Sequence, residues 1–378
     1  MPDVVMYADT FRSPELRHEV ALGVPDPFLY VEKDGQKHIM IGSMEIPRLT
    51  ELAIFELHPP EEFGADELRA SGRKPSEINE ELRLRALRAF GVESAVVPFG
   101  FSLGVADHLR ANGIELTVDR DFFDDRRRVK TQYELEGIRR AQAAAEAGMA
   151  AAADLLRRAK RSGEVLHLDG DPLTSERLKL AIAQELVAHG ATADEFIVAH
   201  GGQAAVGHDM GSGPIRPGET VVIDLWPRDN ESFCYADMTR TFVVGEPSDE
   251  AVEWHRLCTE ALDRAVSQIR GGAPGKAIFD ATCEIFEAAG YPTQRTKPAG
   301  ETIADGFFHG LGHGVGLEVH EQPGMGQIAD KALKAGDVVT VEPGLYRQGV
   351  GGVRLEDLVL VTEDGAENLT SFPYDLSP

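Results

Sequence analysis

Fifteen residues, FFHGLGHGVGLEVHE at 307–321, hold His309, His313 and His320 among four alternating glycines. His309 and His313 have the i, i+4 spacing of a zinc-binding helix face. Gly310, Gly312, Gly314 and Gly316 argue against a helix there, and the spacing departs from the G-x-G-x-x-G of a phosphate-cradling loop. Such glycines suit backbone that passes close to a crowded site, with alternate side chains on one face. A lone histidine in this setting is more often a packed core residue. Three in one segment, in a chain that also carries a carboxylate cluster, point to metal ligation and proton transfer.

The carboxylates come from an internal repeat. Residues 216–224 read RPGETVVID and residues 334–342 read KAGDVVTVE: a basic residue, a glycine, an acid, an apolar run and a second acid. Asp237 in YADMTRTFVVG follows Asp224, and Glu356 in VRLEDLVLVT follows Glu342, at almost the same distance. Each copy reads as a two-stranded unit with one carboxylate per strand. Strand alternation puts Val222 with Asp224, Asp237 with Thr239, Thr340 with Glu342, and Arg354 with Glu356 on shared faces. Four carboxylates on apolar strands are costly to bury unless positive charge sits among them. Two divalent ions about 3.5–4 Å apart would supply that charge and acidify a bridging water.

The elements that must position these groups fall into two domains, 1–125 and 126–378. In the first, FLYVEK and QKHIMIG flank Asp34-Gly35, a hairpin signal. Helices at 77–90 and up to about 111 and strands at SAVVPF and IELTV complete a compact α/β unit. DRDFFDDRRRVKTQ is charged and aperiodic and reads as a linker. The second domain has helical patterns at 132–161, 174–189, 248–270 and 275–289, each pair preceding one copy of the repeat. An α+β domain with internal pseudo-two-fold duplication is the expected result.

Composition narrows the function classes. With 42% hydrophobic and 27% charged residues the chain reads as globular, and no apolar run approaches a membrane span. A formal charge of -25 disfavours nucleic acid. The N-terminus lacks the pattern of an export signal, so a cytoplasmic location is expected. Cys234, Cys258 and Cys283 form no C-x-x-C pair and read as buried free thiols. GFSLG at 100–104 lies between an expected strand and helix, the setting of a serine-esterase elbow at Ser102. Pro98 suits a central strand badly and no HGGG-type loop precedes it, so Ser102 is expected to be a helix N-cap.

IDLWP, ADMTRTF, GLGHGVGLEVHE, VEPGLY and VRLEDLVLVT, in that order, resemble the motif set of the pita-bread metallopeptidases, which include Xaa-Pro aminopeptidases, prolidases, methionine aminopeptidases and creatinases. The resemblance spans residues 130–365; residues 1–125 resemble, more loosely, the N-terminal domain of the creatinase and prolidase branch. It implies a pita-bread catalytic domain with two metal ions. Asp224 would chelate one, Asp237 and Glu356 both, and His313 with Glu342 would complete the second. It implies that His208 and His320 touch the substrate or transition state, that Glu342 shuttles a proton, that His309 lies at the rim of the site and that Arg354 partners the carboxylates. The hard, oxygen-rich set favours Mn²⁺, with Co²⁺, Fe²⁺ or Zn²⁺ as substitutes.

Hydrolysis of Xaa-Pro dipeptides or short peptides by a homodimer is the implied activity. Trp226, after the first ligand motif, and His200 in VAHGG depart from the family pattern near the expected substrate side chains. They keep a same-fold lyase or creatinase-like amidinohydrolase as the alternative; a serine esterase or a non-catalytic binding module is more remote.

Overall fold

The computed structural model describes residues 2–378. The chain divides into two compact units, one ending at Arg127 and the other running Arg128–Pro378.

The first unit is a six-stranded mixed sheet in the order Glu56–His58, Gln36–Met40, Phe28–Lys33, Val4–Ala8, Ser94–Val97, Glu115–Val118. Asp34 and Gly35 take positive φ values of 51° and 81°, which matches the turn to the strand twist and pairs Lys33 with Gln36. Strand alternation then sorts the core. Val5, Val31 and Val97 pack with Leu82, Leu87 and Leu109 from the helices Pro75–Ala89 and Leu103–Ala111. Val4, Met6 and Tyr30 face the other way, onto Leu16, Val20 and Phe123.

Phe123 corrects the linker reading. Residues Arg120–Arg128 form a helix, because Asp119 Oδ1 accepts the Phe122 N–H at 2.9 Å and Phe123 is drawn into the core. The charges that made the segment look aperiodic include Arg127, which is itself buried.

The second unit repeats one arrangement twice. In the first half the helices Gln132–Arg158 and Ser175–Ala188 pack on Thr220–Leu225, the centre of a three-stranded antiparallel sheet between Ile197–His200 and Met238–Val243. Val221, Ile223 and Leu225 turn toward the helices, which puts Val222 and Asp224 on the opposite face. In the second half Asp249–Gln268 and Gly275–Ala288 pack on Val338–Val341 and Asp357–Val361, with Val339 and Val341 facing the helices. Trp254, Leu257, Cys258, Ala261 and Leu262 recur at helical spacing along Asp249–Gln268, and each large apolar side chain so buried contributes about 1.5–3 kcal/mol. The three cysteines are buried and unpaired.

The halves meet edge to edge through a Thr239–Glu356 bridge. Arg240 fastens the seam: its guanidinium donates to the carbonyls of Thr239 and Glu356 and to Asp357 Oδ1 at 2.8–2.9 Å, and also to the carbonyls of Phe372 and Pro373. Arg240 and Asp357 are almost wholly buried. Removing one partner leaves an uncompensated charge, so Asp357→Ala is expected to lose about 3–5 kcal/mol in urea unfolding. Glu367→Ala, which breaks the exposed Arg139–Glu367 pair, should lose less than about 1 kcal/mol in the same experiment.

Candidate functional site

A cavity of about 770 Å³ opens in the second unit, lined among others by His208, Asp224, Asp237, His309, His313, His320, Glu342, Arg354 and Glu356. The duplication accounts for the carboxylates. Asp224 lies on Thr220–Leu225 opposite Thr239, and Asp237 immediately precedes Met238–Val243. Glu342 follows Val338–Val341, and Glu356 lies at the seam, where its Oε2 accepts the Thr239 hydroxyl at 2.7 Å.

The glycine segment supplies the imidazoles. Gly312–Gly314 is a short strand between Val338–Val341 and Glu321–Met325. A Cβ at Gly312 would stand 2.0 Å from the Thr340 carbonyl oxygen, and one at Gly314 would stand 2.4 Å from that of Gln322. The expected close approach is therefore to neighbouring backbone within the sheet. It brings His313 Nε2 to 3.6 Å from Glu342 Oε1 and 3.8 Å from Asp237 Oδ2. His313 Nδ1 faces the Gly314 carbonyl at 3.1 Å; a carbonyl only accepts, so Nδ1 carries the hydrogen and the Nε2 lone pair points at the carboxylates.

His309 is set by a chain of donors. Arg354 donates to the Tyr346 hydroxyl at 3.1 Å, and that hydroxyl lies 2.9 Å from His309 Nε2, while His309 Nδ1 donates to the Gly310 carbonyl at 2.7 Å. Tyr346 carries no chemical signature of its own in the sequence. Its only sign there is its place in VEPGLY, four residues after Glu342. In the sequence Thr239 is legible only as a face neighbour of Asp237. Its hydroxyl is what orients Glu356.

His200 is not brought to the cavity. Its ring is tied on both sides, to Glu219 Oε2 at 2.8 Å and to the Ser212 carbonyl at 3.2 Å. Trp226 does line the cavity, with Ile197, Val206, Met210, Phe308 and Val319. Ser102 occupies the N-cap position of Leu103–Ala111, but its side chain makes no cap hydrogen bond.

The electrostatics of the cluster call for cations. Burial first, then the charges of Glu356, Asp224 and Glu342, push the Asp237 carboxyl well up, and burial with Glu342 and Asp224 does the same to Glu356. Glu342 is pushed up to about 8, chiefly by burial, with Arg354 opposing. Burial first, and then the Arg354 charge, lowers the His309 imidazole to about 3, and burial first, with the neighbouring His320 imidazole second, lowers His313 to about 4. Arg354, which donates to Asp224 Oδ2, is the guanidinium set against four carboxylates. Asp224 Oδ1 and Asp237 Oδ1 are buried without a hydrogen-bond partner among the described residues. Oxygen donors with free lone pairs beside a correctly oriented neutral imidazole fit divalent cations, and Asp237, His313 and Glu356 already present ligand atoms within 4.8 Å of one another.

A pH dependence follows. Carboxyls raised in the folded, cation-free protein keep protons that the unfolded chain releases, so their ionisation costs stability as pH rises. For Glu342 the window runs from its ordinary 4.5 to about 8. Chelator-treated protein should show a falling Tm across that window, and added Mn²⁺ should remove most of the fall; thermal melts at a series of pH values check both.

Residues 136–363 match the sequence pattern described as metallopeptidase family M24. The chain is 35% identical over 257 residues to the Xaa-Pro dipeptidase of Pyrococcus furiosus, covering 68% of this chain and 67% of that protein. Among solved structures, the prolidase from Pyrococcus furiosus superposes with a TM-score of 0.73 at 26% identity, over 99% of this chain and 97% of that one. The X-Pro aminopeptidase from Thermotoga maritima gives 0.79 at 23% identity, over 99% and 97%, a likeness of fold. The pita-bread architecture and a match over more than half of its length establish that this chain belongs to metallopeptidase family M24.

Proposed function

We propose that the chain is a dinuclear peptidase that hydrolyses the Xaa-Pro bond of dipeptides or short peptides. The observation that carries this reading is the gathering of Asp224, Asp237, His313, Glu342 and Glu356 in one cavity, with the His313 lone pair turned toward the carboxylates. The 35% identity to a protein named as an Xaa-Pro dipeptidase supports the bond specificity. Asp224, Asp237, His313, Glu342 and Glu356 are the residues that would hold the two ions. Mn²⁺ is favoured by the hard donor set, with Co²⁺, Fe²⁺ or Zn²⁺ able to substitute. When bound, such a pair supplies Lewis acidity toward the scissile carbonyl and lowers the pKa of water.

The chain's own groups account for binding and proton movement. Glu342 takes the proton from the attacking water and returns it to the proline nitrogen, which must be protonated to leave as an amine. His320, held neutral chiefly by burial, and His208 line the cavity and offer N–H groups to the substrate. His309, oriented by Tyr346, borders the same space. Ile197, Val206, Met210, Trp226 and Phe308 form an apolar wall for the pyrrolidine ring or the residue before it, in a cavity within the roughly 300–1,000 Å³ typical of small-molecule sites. The family resemblance also carries a homodimer in the cytoplasm; among the described residues no helix is long and apolar enough to cross a membrane.

Glu356→Ala is expected to lose bound metal and Xaa-Pro hydrolysis together, and unchanged metal content and turnover would refute the assignment. Thr239→Val removes a hydroxyl that orients Glu356 and should cost about 10–100-fold in metal affinity or activity. Mn²⁺-loaded protein assayed against Xaa-Pro dipeptides, longer Xaa-Pro peptides and creatine separates this reading from a creatinase-like one.

A further inference from the structure

The first unit holds a group of side chains that the peptidase chemistry does not use. The strands Gln36–Met40 and Glu56–His58 run parallel at the sheet edge, with His38 opposite Glu56 and Met40 opposite His58. Since Glu56 and His58 are two apart on one strand, all three side chains His38, Glu56 and His58 rise from the same face. Their ligand atoms lie within 4.8 Å of one another.

The details favour coordination over a closed hydrogen-bond network. His58 Nδ1 lies 2.8 Å from Glu62 Oε2; an ionised carboxylate only accepts, so Nδ1 carries the hydrogen and Nε2 presents its lone pair inward. This is the outer carboxylate that metal-bound histidines characteristically have. His58 Nε2 is 3.2 Å from His38 Nδ1, and His38 Nδ1 is 3.3 Å from Glu56 Oε2. One Nδ1 hydrogen can serve only one of those two acceptors well, and both contacts are longer than the His58–Glu62 bond. For tetrahedral Zn²⁺ with bonds near 2.0–2.1 Å, ligand atoms stand about 3.3–3.4 Å apart, close to both separations.

The rings are also held in place. His38 stacks on Phe90 at 4.5 Å and 17°, and His58 rests against Phe90 and Phe63. The Glu56 side chain is 54% exposed, so the outward side is open for water as a further ligand.

We propose that His38, Glu56 and His58 form a second metal site, in the first unit, that takes a Zn²⁺-class ion. Two imidazoles and one carboxylate select the later first-row ions, whereas the catalytic set of four carboxylates and one imidazole is the harder one. Bound metal would tie the three-residue edge strand and the Pro60–Phe63 turn to the rest of the sheet.

The test is equilibrium dialysis of the chelator-stripped full-length protein against Zn²⁺, with bound metal counted per chain. His58→Ala and Glu56→Gln should each bind one Zn²⁺ fewer than the parent protein while keeping its Mn²⁺-supported hydrolysis. Glu56 is exposed, so its variant serves even where His58→Ala folds poorly. Equal Zn²⁺ stoichiometry in the parent and in folded Glu56→Gln and His58→Ala would overturn the site. Retained hydrolysis with one Zn²⁺ lost keeps this result distinct from any failure of the catalytic reading.

Discussion

Four carboxylates in one buried cavity repel one another, and the rest of the second unit can be understood from how that repulsion is managed. Arg354 contributes one positive charge through Asp224, and burial itself drives protons onto Asp237, Glu342 and Glu356 when no cation is present. Both are partial remedies. Divalent cations offset more charge, and they do so without leaving Asp224 Oδ1 and Asp237 Oδ1 unpartnered. Metal binding, proton release and folding stability are therefore linked in this protein.

The duplication makes the gathering geometrically simple. Each half buries the odd face of a strand under a helix pair, and period-two alternation then delivers a carboxylate to the even face. The Thr239–Glu356 bridge joins the two halves edge to edge at the strands beside Asp237 and Glu356, and Arg240 holds the seam. The glycine segment breaks the symmetry. Only a chain without Cβ atoms at Gly312 and Gly314 can lie this close to its neighbours, and that closeness is what carries His313 to the carboxylates.

Several elements could be read in the sequence because their causes are local. Asp34-Gly35 announces its hairpin through backbone freedom, and the helix pairs announce themselves through apolar spacing. The duplicated carboxylates were legible because the same pattern occurs twice. Other features depend on partners distant in the chain. The helix Arg120–Arg128 looks like a linker until Phe123 has a core to enter. His200 looks like a substrate contact until Glu219 and Ser212 close around it, and Tyr346 gains meaning only when Arg354 and His309 flank its hydroxyl. His38 and His58 lie in separate strands and meet only through a parallel pairing that no short motif encodes.

The amino-acid sequence by itself determined the donor types, their order and their distribution over two repeats, because ligand chemistry and strand period are properties of residues and short segments. Tertiary structure decided which lone pairs face the cavity, which hydroxyls orient them and which charged groups are turned elsewhere. Those outcomes depend on hydrogen bonds between groups as far apart as Thr239 and Glu356, whose meeting is fixed by how the two halves pack.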